Sequence, residues 1–262
     1  MSDYATRFGG IEKLVGRAAV ARLQAAHVCI MGIGGVGAWA AEALARSGVG
    51  ALTLVDLDEV CATNINRQLH ALTETVGQAK VEVMTQRIRA INPECRVAAE
   101  QKFFNAETAA ELLTPRYDYV LDAIDSVSNK ILLLARCREK NLPVVACGGA
   151  GGRRDATAVR HTDMAKVSHD RLLAEVRKRL RRLHGFPREG KLMGIECIYS
   201  AEPQVFARQD GSICATQEET EDGTRLDCNG GLGSATFVTG VFGFVAAGYV
   251  VEQLSRQQPK YR

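Results

Sequence analysis

Short apolar runs alternate along the chain with longer stretches in which apolar residues recur every three or four positions. The runs predict buried strands, and the periodic stretches predict helices that turn one face to a core. The predicted strands are Val28–Met31, Leu52–Val55, Cys95–Ala99, Tyr117–Leu121 and Leu142–Cys147. Because strands and helices alternate, we predict an α/β fold with a doubly wound, mainly parallel, Rossmann-like sheet.

The predicted helices lie between these strands and ahead of the first one. In the segment that begins at Lys80, Val81, Met84 and Ile88 share one face, and Asn92-Pro93 ends the helix. The predicted helical segments are Arg7–Leu23 (one or two short helices), Ala38–Arg46, Lys80–Ile91, Ala106–Leu113 and Ser126–Glu139.

A C-terminal extension follows the fifth strand and carries a basic helix. Between Lys166 and Lys191, apolar residues form one stripe at helical spacing, and Ser168 or Asp170 is placed to begin the helix. The stripe consists of Leu172, Leu173, Val176, Leu180 and Leu183.

The charge of this segment is one-sided. Nine Lys or Arg residues face only three acids between positions 166 and 191. A charged helix face is often only solvated, but this excess favours a surface that contacts a nucleic-acid backbone. The candidate RNA-binding residues are Arg177, Lys178, Arg181 and Arg182.

The last third of the chain contains three further segments. Lys191–Ser200 predicts a strand, and Arg208–Arg225 predicts a mobile polar loop. Gly230–Val251 is the longest apolar stretch. Its glycines, threonines and marginal length favour a buried helix over a membrane span, with membrane contact as the less favoured alternative.

Composition limits the class of protein without naming an activity. With 262 residues and a formal net charge of +3, the chain suits one α/β domain with embellishments, and its charge alone does not indicate nucleic acid. Its eight cysteines include no C-x-x-C pair, and Met1–Tyr4 lacks an export signal, so we expect reduced thiols and a cytoplasmic protein. Cys197 has no neighbouring histidine to activate it, which disfavours a catalytic cysteine.

The glycine cluster after the first strand is typical of a nucleotide site. Gly32, Gly34 and Gly37 fit the G-x-G-x-x-G spacing, with Gly35 inside it. The helix that follows directs its N-terminal amides at a phosphate. Asp56 ends the next strand at the ribose position, about 20 residues on. Taken alone, this motif predicts a dinucleotide-binding oxidoreductase.

Residues beyond Asp56 change that interpretation. Asn64-Ile65-Asn66-Arg67-Gln68 is followed by Lys80, and a dehydrogenase needs neither cation. Two cations here indicate a triphosphate whose leaving group is held and neutralised. In this order and spacing, the set resembles the ubiquitin-activating-type (ThiF/MoeB-like) adenylyltransferase superfamily, which activates carboxylates with ATP.

The resemblance implies a role for each matching residue. ATP would lie on the glycine loop with Asp56 at the ribose, Arg67 and Lys80 at the phosphates, and Asn64 and Gln68 beside them. Asp125 would hold Mg²⁺, although a plain helix cap is the alternative, and Asp122 would support the strand end. An N-terminal arginine, here Arg7, would reach the phosphates of the partner subunit in a homodimer.

Three further features resemble one branch, the tRNA threonylcarbamoyladenosine dehydratases. They are the pairing of Asp-Ala-Ile-Asp-Ser (122–126) with Gly-Gly-Ala-Gly-Gly (148–152), the basic helix, and Gly-Leu-Gly-Ser-Ala-Thr-Phe (231–237) with the apolar run after it. The second glycine cluster also predicts close approach to a ligand or a neighbouring segment, or else a flexible loop. This branch implies cyclisation of a modified adenosine beside the anticodon of tRNA, with tRNA and a candidate sulfur-transfer protein as partners.

The sulfur-carrier-activating branches usually have two zinc-binding C-x-x-C pairs, and this chain has none, so no zinc is expected. Adenylation of a carrier-protein C-terminus therefore stays the alternative function. We expect one adenylation domain over residues 1–262. Its parts are an N-terminal helical arm (1–26), a nucleotide-binding core (27–152), a substrate- or RNA-facing insertion (153–228) and a C-terminal apolar helix (229–256).

Overall fold

A computed structural model describes residues 3–114, 116–208, 210–214 and 232–256. A seven-stranded sheet forms its centre, in the order β3-β2-β1-β4-β5-β7-β6. Neighbouring strands are parallel, except that β6 runs antiparallel to β7. The strands are β1 (His27–Met31), β2 (Ala51–Val55), β3 (Arg96–Glu100), β4 (Tyr119–Asp122), β5 (Val144–Cys147), β6 (Val159–Asp163) and β7 (Glu196–Ser200).

Helices flank the sheet and make most of the crossovers between its strands. They are α1 (Asp3–Val15), α2 (Arg17–Ala25), α3 (Gly37–Arg46), α4 (Lys80–Ile91), α5 (Ala109–Leu112), α6 (Val127–Glu139), α7 (Arg171–Leu183) and α8 (Thr236–Ser255). A small antiparallel pair, β8 (Phe206–Ala207) and β9 (Ile213–Cys214), lies outside the main sheet.

The predicted doubly wound, mainly parallel sheet is confirmed. The chain moves from β1 outward to β2 and β3, then returns to place β4 on the other side of β1. The carboxyl ends of β1 and β4 therefore form a topological switch point, where ligands of such sheets bind. Both central strands are almost wholly buried, because helices cover both faces of the sheet.

Helix α8 packs across α3 and back over the sheet. Its buried face includes Val238, Phe242, Ala246 and Val250, whereas Phe237 and Phe244 are exposed. The predicted buried helix is thus buried on one face only. By length and composition alone, α8 is the one helix among the described residues that would suffice to span a membrane.

Several predicted boundaries differ from the structure. The predicted helix Ala106–Leu113 is shorter in the structure, where α5 covers only Ala109–Leu112. Strand β7 begins at Glu196, five residues later than the predicted strand Lys191–Ser200. Strand β6 was not predicted, since its sequence Val-Arg-His-Thr-Asp is polar and edge strands need no apolar run. In α7, Leu183 is exposed and does not belong to the buried stripe. The predicted loop Arg208–Arg225 lies mostly outside the described residues.

Candidate functional site

The glycine loop begins where β1 ends, at the switch point. Gly32 has a φ of +93°, which a side chain would strain, and a Cβ there would lie 2.9 Å from the backbone oxygen of Ala123. A Cβ on Gly37 would lie 1.8 Å from the oxygen of Gly32. These two glycines therefore close the turn. Around Gly34 the space is open, since a Cβ there would have only Gln68 Nε2, at 3.9 Å, as a neighbour.

Asp56 ties the end of β2 to the glycine loop. Its Oδ2 accepts a hydrogen bond from Ile33 N at 2.7 Å, and its Oδ1 accepts one from Asp58 N at 2.9 Å. Burial raises the pKa of Asp56, while the charge of Lys80 and the two backbone donors oppose that rise. Each oxygen keeps a second lone pair. The carboxylate can therefore accept hydroxyl hydrogen bonds, as a ribose would require.

Lys80 stands at the first position of α4, beside Asp56. Its side chain is buried, and Nζ lies 2.7 Å from Asp58 Oδ2. Its backbone N also donates to the oxygen of Asp58 at 3.0 Å. Asp58 was not identified as a site residue from the sequence, although a carboxylate two positions after Asp56 was a visible signal. The ion pair with Asp58 fixes the ammonium group of Lys80 near Asp56, which is itself hydrogen-bonded to the glycine loop.

Arg67 lies next to the glycine loop at Gly35. A Cβ on Gly35 would be 3.6 Å from Arg67 Cγ, so the arginine stem borders the loop directly. Arg67 Nη1 donates to the backbone oxygen of Thr63 at 2.6 Å. Trp39 Nε1 and Thr239 Oγ1 both donate to the backbone oxygen of Arg67, at 3.3 and 3.1 Å. Sequence reasoning missed both of these supporting residues.

The other two residues of the predicted cofactor set are buried. Gln68 directs its amide nitrogen toward Gly34, and its buried Oε1 has no hydrogen-bond partner in the part of the chain that the structure describes. Asn64 instead accepts from Cys61 N at 3.1 Å and so shapes the turn that carries Arg67. Next to this turn, His70 is buried, and neither of its ring nitrogens has a hydrogen-bond partner among the described residues. Burial lowers the pKa of His70 to about 4, with the charge of Lys80 as the second cause.

The two aspartates after β4 have different surroundings. Asp122 is fully buried, forms an ion pair with buried Lys130 at 2.8 Å and accepts from Ile124 N at 3.0 Å. The prediction that Asp122 supports the strand end is confirmed. Asp125 is exposed, and Ser126 rather than Asp125 occupies the N-cap position of α6. Among the described residues Asp125 has no hydrogen bond or ion pair, which leaves its oxygens available for a hard cation.

Arg7 does not reach the glycine loop of its own chain. It forms an ion pair with Asp3 at 2.7 Å and donates to the backbone oxygen of Ile91 at 3.3 Å. Ile91 ends α4 near the amino edge of the sheet, whereas the loop lies at the carboxyl edge. The 10-residue α3 spans that separation, which is roughly 15 Å. Any role of Arg7 at a phosphate therefore requires a second subunit.

The glycine cluster 148–152 is approached by neighbouring segments of the same chain. A Cβ on Gly148 would lie 2.0 Å from Asp170 Oδ2, and that oxygen accepts from Gly149 N at 2.9 Å. Gly152 N donates to the oxygen of Gly233 at 2.7 Å. These contacts support the predicted close approach to a neighbouring segment. Cys197 lies buried in β7 beneath this region, and burial raises its pKa, which argues against a thiolate nucleophile.

The four candidate RNA-binding residues on α7 divide into two pairs. Arg177 Nη1 donates to two backbone oxygens of the preceding segment, at 3.0 and 2.8 Å. Arg181 Nε donates to the oxygen of Pro187 at 3.0 Å. Lys178 and Arg182 are exposed. Arg177 thus has a structural role that the sequence did not indicate, and its contact with RNA stays a prediction.

The residues at the carboxyl edge therefore form one arrangement. The glycine loop has open space at Gly34, the carboxylate of Asp56 is hydrogen-bonded to it, and the stem of Arg67 borders it. Lys80 supplies a second cation near Asp56, through its ion pair with Asp58. An available carboxylate, Asp125, follows the neighbouring strand. Such a site can bind a nucleoside triphosphate and stabilise a departing pyrophosphate.

Comparison with known proteins gives close matches over nearly the whole chain. Residues 10–262 match the ThiF family. The chain is 48% identical over 249 residues to the tRNA threonylcarbamoyladenosine dehydratase of Escherichia coli K12, covering 95% of this chain and 93% of that protein. It is 38% identical over 249 residues to the protein of the same name from Bacillus subtilis, covering 95% of this chain and 94% of that protein. The crystal structure of the E. coli tRNA N6-threonylcarbamoyladenosine dehydratase in complex with ATP superposes with a TM-score of 0.84 at 43% identity, covering 97% and 96% of the two chains.

Proposed function

This chain belongs to the ThiF family, and from that premise we propose that it is an ATP-dependent adenylating enzyme that acts on tRNA. The proposed reaction is the dehydration (cyclisation) of N6-threonylcarbamoyladenosine beside the anticodon, through an acyl-adenylate on the threonine carboxylate. The relatives with this activity in their names match the chain almost end to end, which supports the assignment.

The observation that carries the proposal is the placement of two cations beside one glycine loop. Lys80 is held at 2.7 Å from Asp58, and the stem of Arg67 borders Gly35. A site for a dinucleotide would need neither charge, because its pyrophosphate rests on the loop amides. A triphosphate extends further and develops negative charge on its leaving group, which the two cations would stabilise.

The proposed chemistry has two steps. A carboxylate oxygen of the substrate bonds to the α-phosphorus of ATP, and the bond to the β-phosphate breaks to release pyrophosphate. A nucleophile within the same modified nucleoside then bonds to the activated carbonyl, closes a ring and expels AMP with loss of a proton. The oxygen that is lost as water in the net dehydration leaves on AMP. The protein contributes positioning and charge stabilisation.

Ring closure of this kind needs no enzyme thiol. Cys197 lies in β7 without exposure, and burial raises its pKa. Cys61 is exposed, but it lies beside the Arg67 turn and the mechanism gives it no step. The proposed reaction is therefore complete with an intramolecular nucleophile and without a covalent thioester.

Magnesium is the metal that this reaction would use with ATP. Asp125 fits such a role, because its exposed oxygens are hard ligands at the carboxyl end of β4. A bound Mg²⁺ would neutralise phosphate charge in both ground and transition states. Asp122 would not serve as a ligand, since its charge is already paired with Lys130.

The remaining parts of the proposal concern assembly and location. We propose one adenylation domain over the chain, in a cytoplasmic homodimer in which Arg7 acts on the partner's nucleotide. The distance of Arg7 from its own glycine loop supports an action across subunits. A sulfur-transfer protein is kept as a candidate partner.

The decisive experiment compares acceptors in ATP–pyrophosphate exchange. With tRNA that carries N6-threonylcarbamoyladenosine, we expect exchange, AMP formation and a nucleoside that is lighter by one water in mass spectrometry. A carrier protein that ends in Gly-Gly serves as the competing acceptor, and NAD as the competing nucleotide. Exchange with the carrier protein and none with tRNA would contradict the proposed reaction and favour the alternative, adenylation of a carrier-protein C-terminus.

A further inference from the structure

An open hollow lies where α7 ends, away from the glycine loop. Its volume is about 560 Å³. It is lined by Arg181, Gly185, Phe186, Pro187, Arg188 and Lys191. Three of these six residues are cations, and none is an acid. The one acid in the segment 184–191, Glu189, does not line the hollow.

The floor of this hollow is fixed by packing. Phe186 is buried in the cluster that also holds Leu180, and the guanidinium of Arg138 covers its ring at 4.3 Å. Arg181 Nε donates to the oxygen of Pro187 at 3.0 Å. The backbone around the hollow is thus held in place before any ligand arrives, so little conformational entropy is lost on binding.

The cations at the rim, by contrast, are available. Lys191 N donates to the oxygen of Arg188 at 3.2 Å, which closes a turn between these two residues. Both residues are exposed, and neither forms an ion pair within the part of the chain that the structure describes. Lys178 and Arg182 extend the positive surface along the last turns of α7. Clustered unpaired cations attract phosphate groups. Glu189 lies between Arg188 and Lys191 in sequence but does not line the hollow.

The position of the hollow restricts what kind of ligand can use it together with the nucleotide site. Asp170, at the N-terminus of α7, accepts from Gly149 N at the carboxyl edge of the sheet. The 13 residues of α7 then carry the chain roughly 20 Å away from that edge. A small substrate bound at the glycine loop cannot reach so far, whereas an RNA bound there by one nucleotide can.

We infer that this hollow, with Arg188 and Lys191 at its rim, is a phosphate-binding site for the backbone of the RNA whose modified nucleoside occupies the glycine-loop site. The inference rests on the proposed function and extends it from the reacting nucleoside to a second point of contact. This phosphate-binding site contributes to the affinity and the orientation of the bound RNA, since phosphate contacts position a nucleic acid without reading its sequence.

The test uses the full chain with Arg188 and Lys191 both replaced by Gln. Arg181 is left in place because it holds Pro187. Lys13→Gln with Arg89→Gln is the matched control, since it removes two exposed charges from other helices, α1 and α4, that do not line the hollow. The probe is tRNA bearing N6-threonylcarbamoyladenosine. The dissociation constant for this tRNA is measured between about 0.05 and 0.3 M salt, a range over which the release of counterions changes the affinity measurably. The kcat and the KM for tRNA are measured in parallel.

We expect the Arg188→Gln/Lys191→Gln variant to bind tRNA at least about tenfold more weakly at 0.1 M salt, with a log–log salt slope lower by roughly 1.4 to 1.8. KM for tRNA should rise in step, while kcat at saturation and the affinity for ATP stay unchanged. The control variant should bind like the wild type.

The inference is overturned if the variant keeps the wild-type affinity and salt slope, or if the control variant loses as much. It is also overturned if the wild type binds polyglutamate as tightly and with the same slope, because the hollow would then be a general anion surface. A wild type that leaves tRNA chemically unchanged in the presence of ATP defeats the proposed function instead. The salt slopes still decide the role of the hollow in that case.

Discussion

Thr239 in the last helix donates a hydrogen bond to the backbone oxygen of Arg67, 172 residues earlier in the chain, at 3.1 Å. Its methyl group also lies against the glycine loop, where a Cβ on Gly35 would meet Thr239 Cγ2 at 3.1 Å. One side chain of α8 thus touches both the glycine loop and the residue proposed to neutralise the leaving group. The C-terminal helix is therefore part of the site as well as of the core.

The first prediction tests this contact with Thr239→Val, which keeps the shape and removes the hydroxyl. Trp39 still donates to the oxygen of Arg67, so the protein should fold, with a loss of about 1 kcal/mol in the free energy of unfolding. Because Arg67 loses part of its support, kcat for ATP–pyrophosphate exchange should fall up to about tenfold. Thr236→Val, on the exposed first turn of α8, is the control. Equal activity in both variants would show that the contact serves folding alone.

The second prediction concerns the two cations. Arg67→Ala should lower the rate of adenylation on the order of 100-fold, because the lost charge acts on the departing pyrophosphate. Lys80→Met should do the same while retaining the buried stem. Circular dichroism and urea unfolding monitor the fold. Near-normal turnover in both variants would contradict the assignment of a triphosphate site.

The third prediction separates the two aspartates after β4. Asp125→Asn should raise the magnesium concentration for half-maximal activity and lower kcat, with a change in stability within about 0.5 kcal/mol, since the side chain is exposed. Asp122→Asn leaves buried Lys130 without its counter-charge and should destabilise the fold by about 3 to 5 kcal/mol. If Asp125→Asn lowers the unfolding temperature and spares activity, its role is structural.

The parts of the site that lie close together in sequence were predictable. The glycine spacing, Asp56 and Lys80 follow from local rules about turns, strand ends and charge. Thr239 and Trp39 were not, because no motif links α8 or α3 to the backbone oxygen of Arg67 that their side chains contact. Their importance depends on how α8 packs, which periodicity does not specify.

The basic helix shows the same limit. The excess of cations was visible in the sequence, but their directions were not. Arg177 turns back to two backbone oxygens, and the rim of the hollow is completed by Arg188 and Lys191, which lie beyond the helix. Composition indicates that this segment is positively charged. Only the backbone path of residues 184–191, after α7, shows that Arg181, Arg188 and Lys191 line one hollow.

The fourth prediction concerns the proposed dimer. Arg7 is fixed near the amino edge of its own sheet, so a chain with Arg7→Ala and a chain with Asp125→Ala should complement each other in a hybrid dimer. One of the two hybrid sites then holds both residues, and random mixing should restore about a quarter of wild-type activity. The hybrid is verified by two different affinity tags. Without rescue in a verified hybrid, a role of Arg7 across subunits is contradicted.

The last prediction concerns His70 and pH. His70 is buried, and within the described residues neither ring nitrogen has a hydrogen-bond partner. Burial, together with the charge of Lys80, lowers its pKa to about 4. In the unfolded chain the group titrates near its ordinary value of about 6.5. Between these two values the unfolded state binds more protons than the folded state. Stability therefore rises with pH across this window, and it is lost as pH falls from 6.5 toward 4.

The measurement compares urea unfolding of His70→Gln and the wild type at pH 7 and pH 5. Over that interval the wild type should lose about 2 kcal/mol more of its free energy of unfolding than His70→Gln, because the variant has no proton to exclude at this position. His184→Gln, which removes an exposed histidine, should keep the wild-type dependence. His27, whose pKa is also lowered by burial, titrates in all three proteins and cancels in the comparison. If His70→Gln loses as much of its free energy of unfolding between pH 7 and pH 5 as the wild type does, His70 must gain a hydrogen-bond partner or solvent access in solution. The ring would then not be held neutral beside Lys80.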